Sequence, residues 1–298
     1  MTSTTDTSTD GREGDGSVDE RSLACAAGLI EVGRSRVEDV AVLTDEELAA
    51  LEGISTAQTT AMPFLDEHAP DETTQLPIAR TAMRSLMARR LVISEIEAAE
   101  GEDRPLADDK LQSVTAEPRT TGALVLRRTS RILVWFEREV STQTHRLYYY
   151  PHVDDVVLEE EVTADGVHMF TIMPMSKVPT RVRHLIDQPG VGGQDGPAAT
   201  LAVADVESDT EMGPRLADTR ALTVGSMVSR TTDVTKRVLF HLTSSEVIAG
   251  QPSPEGEEIT LMQVSADSVE EIVADLFDDD GSAGEGENDR TDEDEEAR

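Results

Sequence analysis

Apolar positions along this chain follow two different periods, and the change falls near residue 122. Before it the spacing is helical. In "LTDEELAALEG", Thr44 and Glu47 form a capping box, the acidic first turn suits the helix dipole, and Gly53 closes the segment. "LPIARTAMRSLMARRLV" predicts a second helix over 77–92 that opens at Pro77. There Ile78, Ala82 and Leu86 share a face flanked by Met83 and Met87, and Arg80, Arg84, Arg89 and Arg90 fill the remainder.

From Gly122 the period shortens. "ALVLRRTSRILVWFEREV" reads as two strands across a turn at Thr129–Ser130, and "HRLYYYPH" as a third. "VVLEEEVTADGVHMFTIM" (156–173) predicts a hairpin with Asp165-Gly166 as its two-residue loop. In that register Val162 faces Met169 and Leu158 faces Met173, while Glu159, Glu161 and His168 lie on the opposite, solvated side. Glu160 then falls on the apolar side near Thr171, a mismatch for a bulge or an edge position to relieve. After Pro174, Val178, Val182, Leu185 and Ile186 return to helical spacing. "QPGVGGQDGPAA" (188–199) is a loop. Strands follow in "TLAVADV", "ALTVGSMV", "KRVLFHLTSSEVIAG" and "EEITLMQVS", and then a helix in "ADSVEEIVADLF".

An offset of 90 residues brings several of these positions into coincidence. Val157 and Leu158 fall on Val247 and Ile248, Gly166 on Gly256, Met169 and Ile172 on Ile259 and Met262, and Val182 and Ile186 on Ile272 and Leu276. "RILVWFE" matches "KRVLFHL" at a slightly larger offset, with the extra length of the first copy around "STQTHRLYYYPH". A single small sheet with one helix buries too little apolar surface, whereas two such units packed together bury both. The expected fold is α+β: two quasi-repeated antiparallel sheet-plus-helix units, 21–187 and 200–277, packed as one pseudo-symmetric body. Acidic tails at 1–20 and 278–298 hold almost nothing to bury and are expected to be disordered.

Charge narrows the choice of partner. The net charge is −34; the two tails contribute −5 and −9, leaving about −20 on the body. Such a field repels phosphate backbones and anionic headgroups, so a protein partner is expected and nucleic acid is not. Lysines number three (Lys110, Lys177, Lys236) against many arginines, which points to a GC-rich actinobacterial or halophilic genome. The apolar run around Cys25, "SLACAAGLIEVG", is too short to span a bilayer, so a cytoplasmic location is expected. One cysteine allows neither an intrachain disulfide nor a cysteine zinc cluster.

Candidate chemistry is sparse. A metal site at His168 and Glu161 would need further ligands, and the second copy has Glu258 where the first has His168. The six histidines (68, 145, 152, 168, 184, 241) show no HxH, HxxxH or HExxH spacing. No Walker loop, GxGxxG or G-x-S-x-G elbow occurs, so no catalytic, cofactor-binding or metal residue is assigned. The arginine-rich helix 77–92, followed by a strand pair bearing Arg127, Arg128 and Arg131, forms the alternative reading of a winged-helix DNA-associated regulator. Trp135, Phe136, Tyr148, Tyr149 and Tyr150 are assigned to core packing, with a partner surface as the other option.

Several of these features together resemble the EspG family of type VII secretion: the helix introduced by "LTDEELAAL", the helix "ARTAMRSLMARRLV", strands such as "TGALVLRR" and "RILVWFE", and the two sheet-plus-helix halves, over roughly 40–277. The resemblance implies a cytoplasmic chaperone that holds a helical secretion substrate and catalyses nothing. The acidic tails and the region 188–234 depart from the family pattern, and no binding residue carries over.

Overall fold

The computed structural model describes residues 19–54, 56–94, 96, 114–232 and 234–278. Both expected disordered tails therefore lie outside the described residues, apart from Asp19, Glu20 and Asp278. Asp19 and Glu20 are ordered: Asp19 caps helix α1 (Glu20–Gly33) by accepting from the Ser22 amide. Strand β1 (Glu38–Thr44) leads into helix α2 (Asp45–Glu52), which has the expected capping box of Thr44 and Glu47 and ends at Gly53 with φ 99°. Helices α3 (Pro63–His68) and α4 (Glu72–Ala88) follow. Helix α4 begins five residues before Pro77, because Asp71 caps it through the Thr74 amide; Pro77 therefore lies inside the helix, where it has no N–H to offer the Thr73 carbonyl.

A short ribbon of β2 (Val92–Ser94) and β3 (Val114–Ala116) precedes helix α5 (Pro118–Thr129). Here the sequence expectation of a strand across Thr129–Ser130 is overturned. Pro118 and the Glu117 side chain start a helix, and Ala123, Leu124, Val125 and Leu126 are all buried in it. Six successive positions of this helix, 122–127, are buried, so it shows no amphipathic stripe and its run of β-formers imitates a strand. The winged-helix alternative loses its wing with this correction.

Strands β4 (Ile132–Val140), β5 (Gln143–His152), β6 (Val156–Val162) and β7 (Val167–Pro174) form a meander, followed by helix α6 (Val178–Ile186). The loop over 187–198 is tied down: buried Asp187 accepts from the Val191 and Gly192 amides, and the Gly196 amide donates to Gln263. Then come β8 (Ala199–Ala202), a 3-10 segment (Val203–Ser208), helix α7 (Met212–Ala217), strands β9 (Ala221–Ser229), β10 (Thr235–Leu242), β11 (Val247–Pro252) and β12 (Glu258–Val264), and helix α8 (Ala266–Asp275).

Among the described residues, ten of the twelve strands form one antiparallel sheet in the order β1-β7-β6-β5-β4-β9-β10-β11-β12-β8. Read outward from the central β4–β9 pair, each half is a four-strand meander with the half's first strand added at its edge. By position β9 is therefore the counterpart of β4, and β10 that of β5. The expected match of "RILVWFE" with "KRVLFHL" joins β4 to β10 and is displaced by one strand; "HRLYYYPH" is no insertion. The matches at β6/β11, β7/β12 and α6/α8 agree with the strand order.

Both faces of the sheet are covered. On one, α6 and α8 lie side by side over Val134, Phe136, Tyr149, Val157, Met173, Phe240 and Val264, joined by Arg183 and Thr180 to Glu270. On the other, α1 and α5 cover Leu158, Val162, Phe170 and Ile172 of the first half, and α7 with the 3-10 segment covers Ile248 and Leu261 of the second.

Candidate functional site

The Val156–Met173 hairpin is central to the first half, and its register differs from expectation. Thr163 pairs with Val167 outside a three-residue turn, its amide donating to Val167 at 3.0 Å while the Gly166 amide donates to Thr163 at 3.1 Å. Val162 therefore opposes His168 and Glu160 opposes Phe170. A shift of one residue on β7 moves every side chain of that strand to the other face. His168 joins Glu160 on the apolar side under α5, not Glu159 and Glu161. The expected solvated face is also corrected: Glu159, Glu160 and His168 are each 0% exposed, because helices cover the sheet from both sides.

The result is a buried cluster of charges. His168 Nδ1 lies 2.6 Å from Glu160 Oε1, and Nε2 lies 2.7 Å from Asp45 Oδ1. Ionised carboxylates only accept, so both ring nitrogens must donate and the ring is an imidazolium. Burial works against that charge, but the hydrogen bonds to Asp45 and Glu160 outweigh it and raise the His168 pKa above its ordinary value. Glu160 also accepts from Thr60 Oγ1 at 3.0 Å, from Arg127 Nε at 2.9 Å and from the Tyr150 hydroxyl at 2.6 Å. Burial pushes Glu160 up, yet Arg127 and His168 prevail and hold it at about 2. Arg127, fully buried on α5, reaches Glu52 Oε2 at 2.5 Å and Thr60 at 2.6 Å, and Arg128 extends the chain of charges to the surface through Glu52. Asp45 Oδ2 accepts from the Phe64 and Leu65 amides and so caps α3.

With three carboxylates against His168, Arg127 and Arg128, the cluster balances its own charge. Its groups satisfy one another and none is free for a substrate, so it ties α2, α3 and α5 to the sheet. Among the described residues no group of three or more His, Cys, Asp or Glu could hold a metal ion. Asp45, Glu52, Arg127 and Tyr150 were not foreseen as its members. The available signal was Glu160 itself, a carboxylate at an apolar position of an alternating strand, which requires a buried partner.

On the opposite face Arg181 donates to Glu159 at 2.5 Å. Burial still raises the Glu159 pKa. Glu159 Oε1 and the hydroxyl of its cross-strand neighbour Tyr149 are both buried and weigh on each other's ionisation without reaching hydrogen-bond geometry. The helix arginines are spread over different tasks: Arg89 pairs with Glu47 and donates to the Val42 carbonyl, whereas Arg80 and Arg84 are exposed.

Two surface features remain. A cavity of about 1000 Å³ opens between α1, β3 and the start of α5, lined by Arg21, Cys25, Leu29, Glu38, Thr115 and Arg119 among others. The second lies where the two halves meet. On the α1/α5 side of the sheet, Trp135 of β4, Leu222, Val224 and Val228 of β9 and Leu239 of β10 are half-buried. Leu222, Val224 and Leu239 belong to none of the three core clusters. They form an apolar strip between the first-half and second-half helices, with the Arg146–Glu137 pair, Arg237 and His241 beside it. Of the aromatic group, Phe136, Tyr148, Tyr149 and Tyr150 are core, and Trp135 borders this strip.

No family model matches the sequence, and no curated protein matches it. Among solved structures, the Mycobacterium tuberculosis type VII secretion chaperone EspG5, in complex with a PE25–PPE41 dimer, is 8% identical; the match covers 80% of this chain and 95% of that one, with a TM-score of 0.48. Two structures of the CurK dehydratase are 6% identical over 50% of this chain and 81% of theirs, with a TM-score of 0.13. Likenesses of this size are too slight to assign a family or an activity.

Proposed function

We propose that the chain is a non-enzymatic protein-binding module that seats a helical segment of another protein on the strip at the meeting of its two halves. The observation that carries this reading is the half-buried row Leu222, Val224 and Leu239, apolar and outside the three packed cores, with Trp135 at its border. Apolar surface with an aromatic anchor and a charged rim is the composition of a binding patch. A helix is the occupant implied by the resemblance to the EspG family, and a secretion chaperone is the finer form of the same proposal. The acidic body favours a partner that is not itself strongly acidic.

Trp135 is the sole tryptophan of the chain, so its fluorescence reports on the border of the strip. A partner recovered with the tagged protein from its native host, once identified and purified, is titrated against it. The expected result is a shift of Trp135 emission on binding and loss of binding in a Leu222→Asp, Leu239→Asp variant that keeps the far-UV spectrum of the parent. Undiminished binding by that variant overturns the assignment.

A further inference from the structure

The cluster around His168 also fastens a segment that reaches Tyr148, the cross-strand neighbour of Trp135 at the border of the strip. The segment 56–68 follows α2, touches β5 at Tyr148 and runs into α3. It is fastened at few polar points: Thr60 bonds Glu160 and Arg127, the Ala61 amide donates to the Tyr148 hydroxyl at 3.3 Å, and the Phe64 and Leu65 amides donate to Asp45. Tyr148 in turn stands opposite Trp135 in the sheet. Two of these fastenings, Glu160 and Asp45, are the two carboxylates that clasp His168.

We propose that the proton on His168 operates a latch: the imidazolium clamps Asp45 and Glu160 together and holds segment 56–68 against the sheet, and loss of the proton releases that segment from beside Trp135. The physical reason is the number of donors. A neutral imidazole keeps one N–H, so one ring nitrogen then presents a lone pair to a carboxylate less than 3 Å away, in a site closed to water. The surrounding charges are Asp45 from α2, Glu160 from β6, Arg127 from α5 behind Glu160, and Glu52 from the end of α2 behind Arg127, with Arg128 at the rim. Tyr150 of β5 and Thr60 donate to Glu160, and Phe170 of β7 stacks beside the ring. None of these replaces the second donor that His168 loses, because Arg127, Tyr150 and Thr60 are already committed to Glu160.

The direction in pH follows from linkage. The clasped ring holds its proton more tightly than a released one, so the clasp is whole below the ordinary histidine value and weakens as pH rises through the raised one. Between the two, opening gains about tenfold per pH unit, because one proton is lost on release, and it levels off above.

Hydrogen exchange of the free, full-length protein tests this without a partner, so a failure of the strip as a binding site leaves it standing. Peptides covering 56–68 are compared with 178–186 on the opposite face, after correction for the intrinsic pH dependence of exchange. The expected result is protection of 56–68 that falls about tenfold per pH unit over the stated interval while 178–186 stays protected. His168→Gln should expose 56–68 at every pH. Should that variant not fold, the nitrogen chemical shifts of His168 in the parent decide, with two protonated nitrogens expected at pH 6. Protection of 56–68 that ignores pH, a parallel loss at 178–186, or a neutral ring at pH 6 each overturns the latch.

Discussion

Gly166 and Gly256 hold the same corner in the hairpins of the two halves, with φ of 74° and 73°. Their surroundings differ. A Cβ on Gly166 would lie 2.7 Å from Asp45 Oδ2 and from Phe64 Cβ, whereas one on Gly256 would meet nothing within 4 Å. Both substitutions to alanine force a left-handed backbone on an L residue, a cost of roughly 1–2 kcal/mol. Gly166→Ala must in addition push the start of α2 off the hairpin, whose Gly166 carbonyl accepts from the Asp45 amide. Urea unfolding should show Gly166→Ala as clearly the more destabilised of the pair; equal losses would mean that the contact with Asp45 contributes nothing.

Arg127 neutralises two buried carboxylates from the centre of the cluster. Arg127→Met keeps most of its volume but leaves Glu160 and Glu52 short of their cation. Breaking a buried pair in this way costs about 3–5 kcal/mol. Adding Glu160→Gln should recover part of the loss, because one uncompensated charge disappears. A single variant within 1 kcal/mol of the parent in denaturant unfolding would show the pair to be dispensable.

Stability should fall at both ends of the pH scale for different reasons. Glu160, held at about 2, contributes stability that is whole above the ordinary carboxylate value and lost as pH falls towards 2. His168, raised, contributes stability that is whole below its ordinary value and lost as pH rises through the raised one. The difference in unfolding free energy between the parent and His168→Gln should therefore shrink with rising pH above neutrality. A constant difference across that range would refute the imidazolium.

The outer edge of the sheet at β1 is guarded by side chains. Arg89 donates to the Val42 carbonyl at 2.7 Å and Arg119 to the Asp39 carbonyl at 2.5 Å. Open edge carbonyls are templates for strand addition by another chain. The double variant Arg89→Ala, Arg119→Ala should self-associate at concentrations where the parent sediments as before, and unchanged sedimentation would remove the guard role.

Much of the architecture can be read locally. The capping box at Thr44 and Glu47, the amphipathic stripes Val178–Val182–Ile186 and Val269–Val273, and the glycine corners at 166 and 256 specify their elements without outside help. These signals depend only on neighbours within a few residues, so they survive in a bare sequence, and the 90-residue echo between the halves survives with them.

What the tertiary structure decided was which faces are dry. Alternation correctly set Glu160 apart from Glu159 and Glu161, but whether either face meets water depends on helices folded from distant segments, α1 and α5 on one side and α6 and α8 on the other. Packing between α1 and the sheet buried six successive positions of α5, 122–127, which erased its stripe and made it look like strands. A one-residue difference in turn length then carried His168 to the side of Glu160, where Asp45, 123 residues away in sequence, completes the clasp. Local pattern sets the period of an element; burial and charge pairing are decided by what packs against it, and a reactive-looking run of glutamates becomes the anchor of the core.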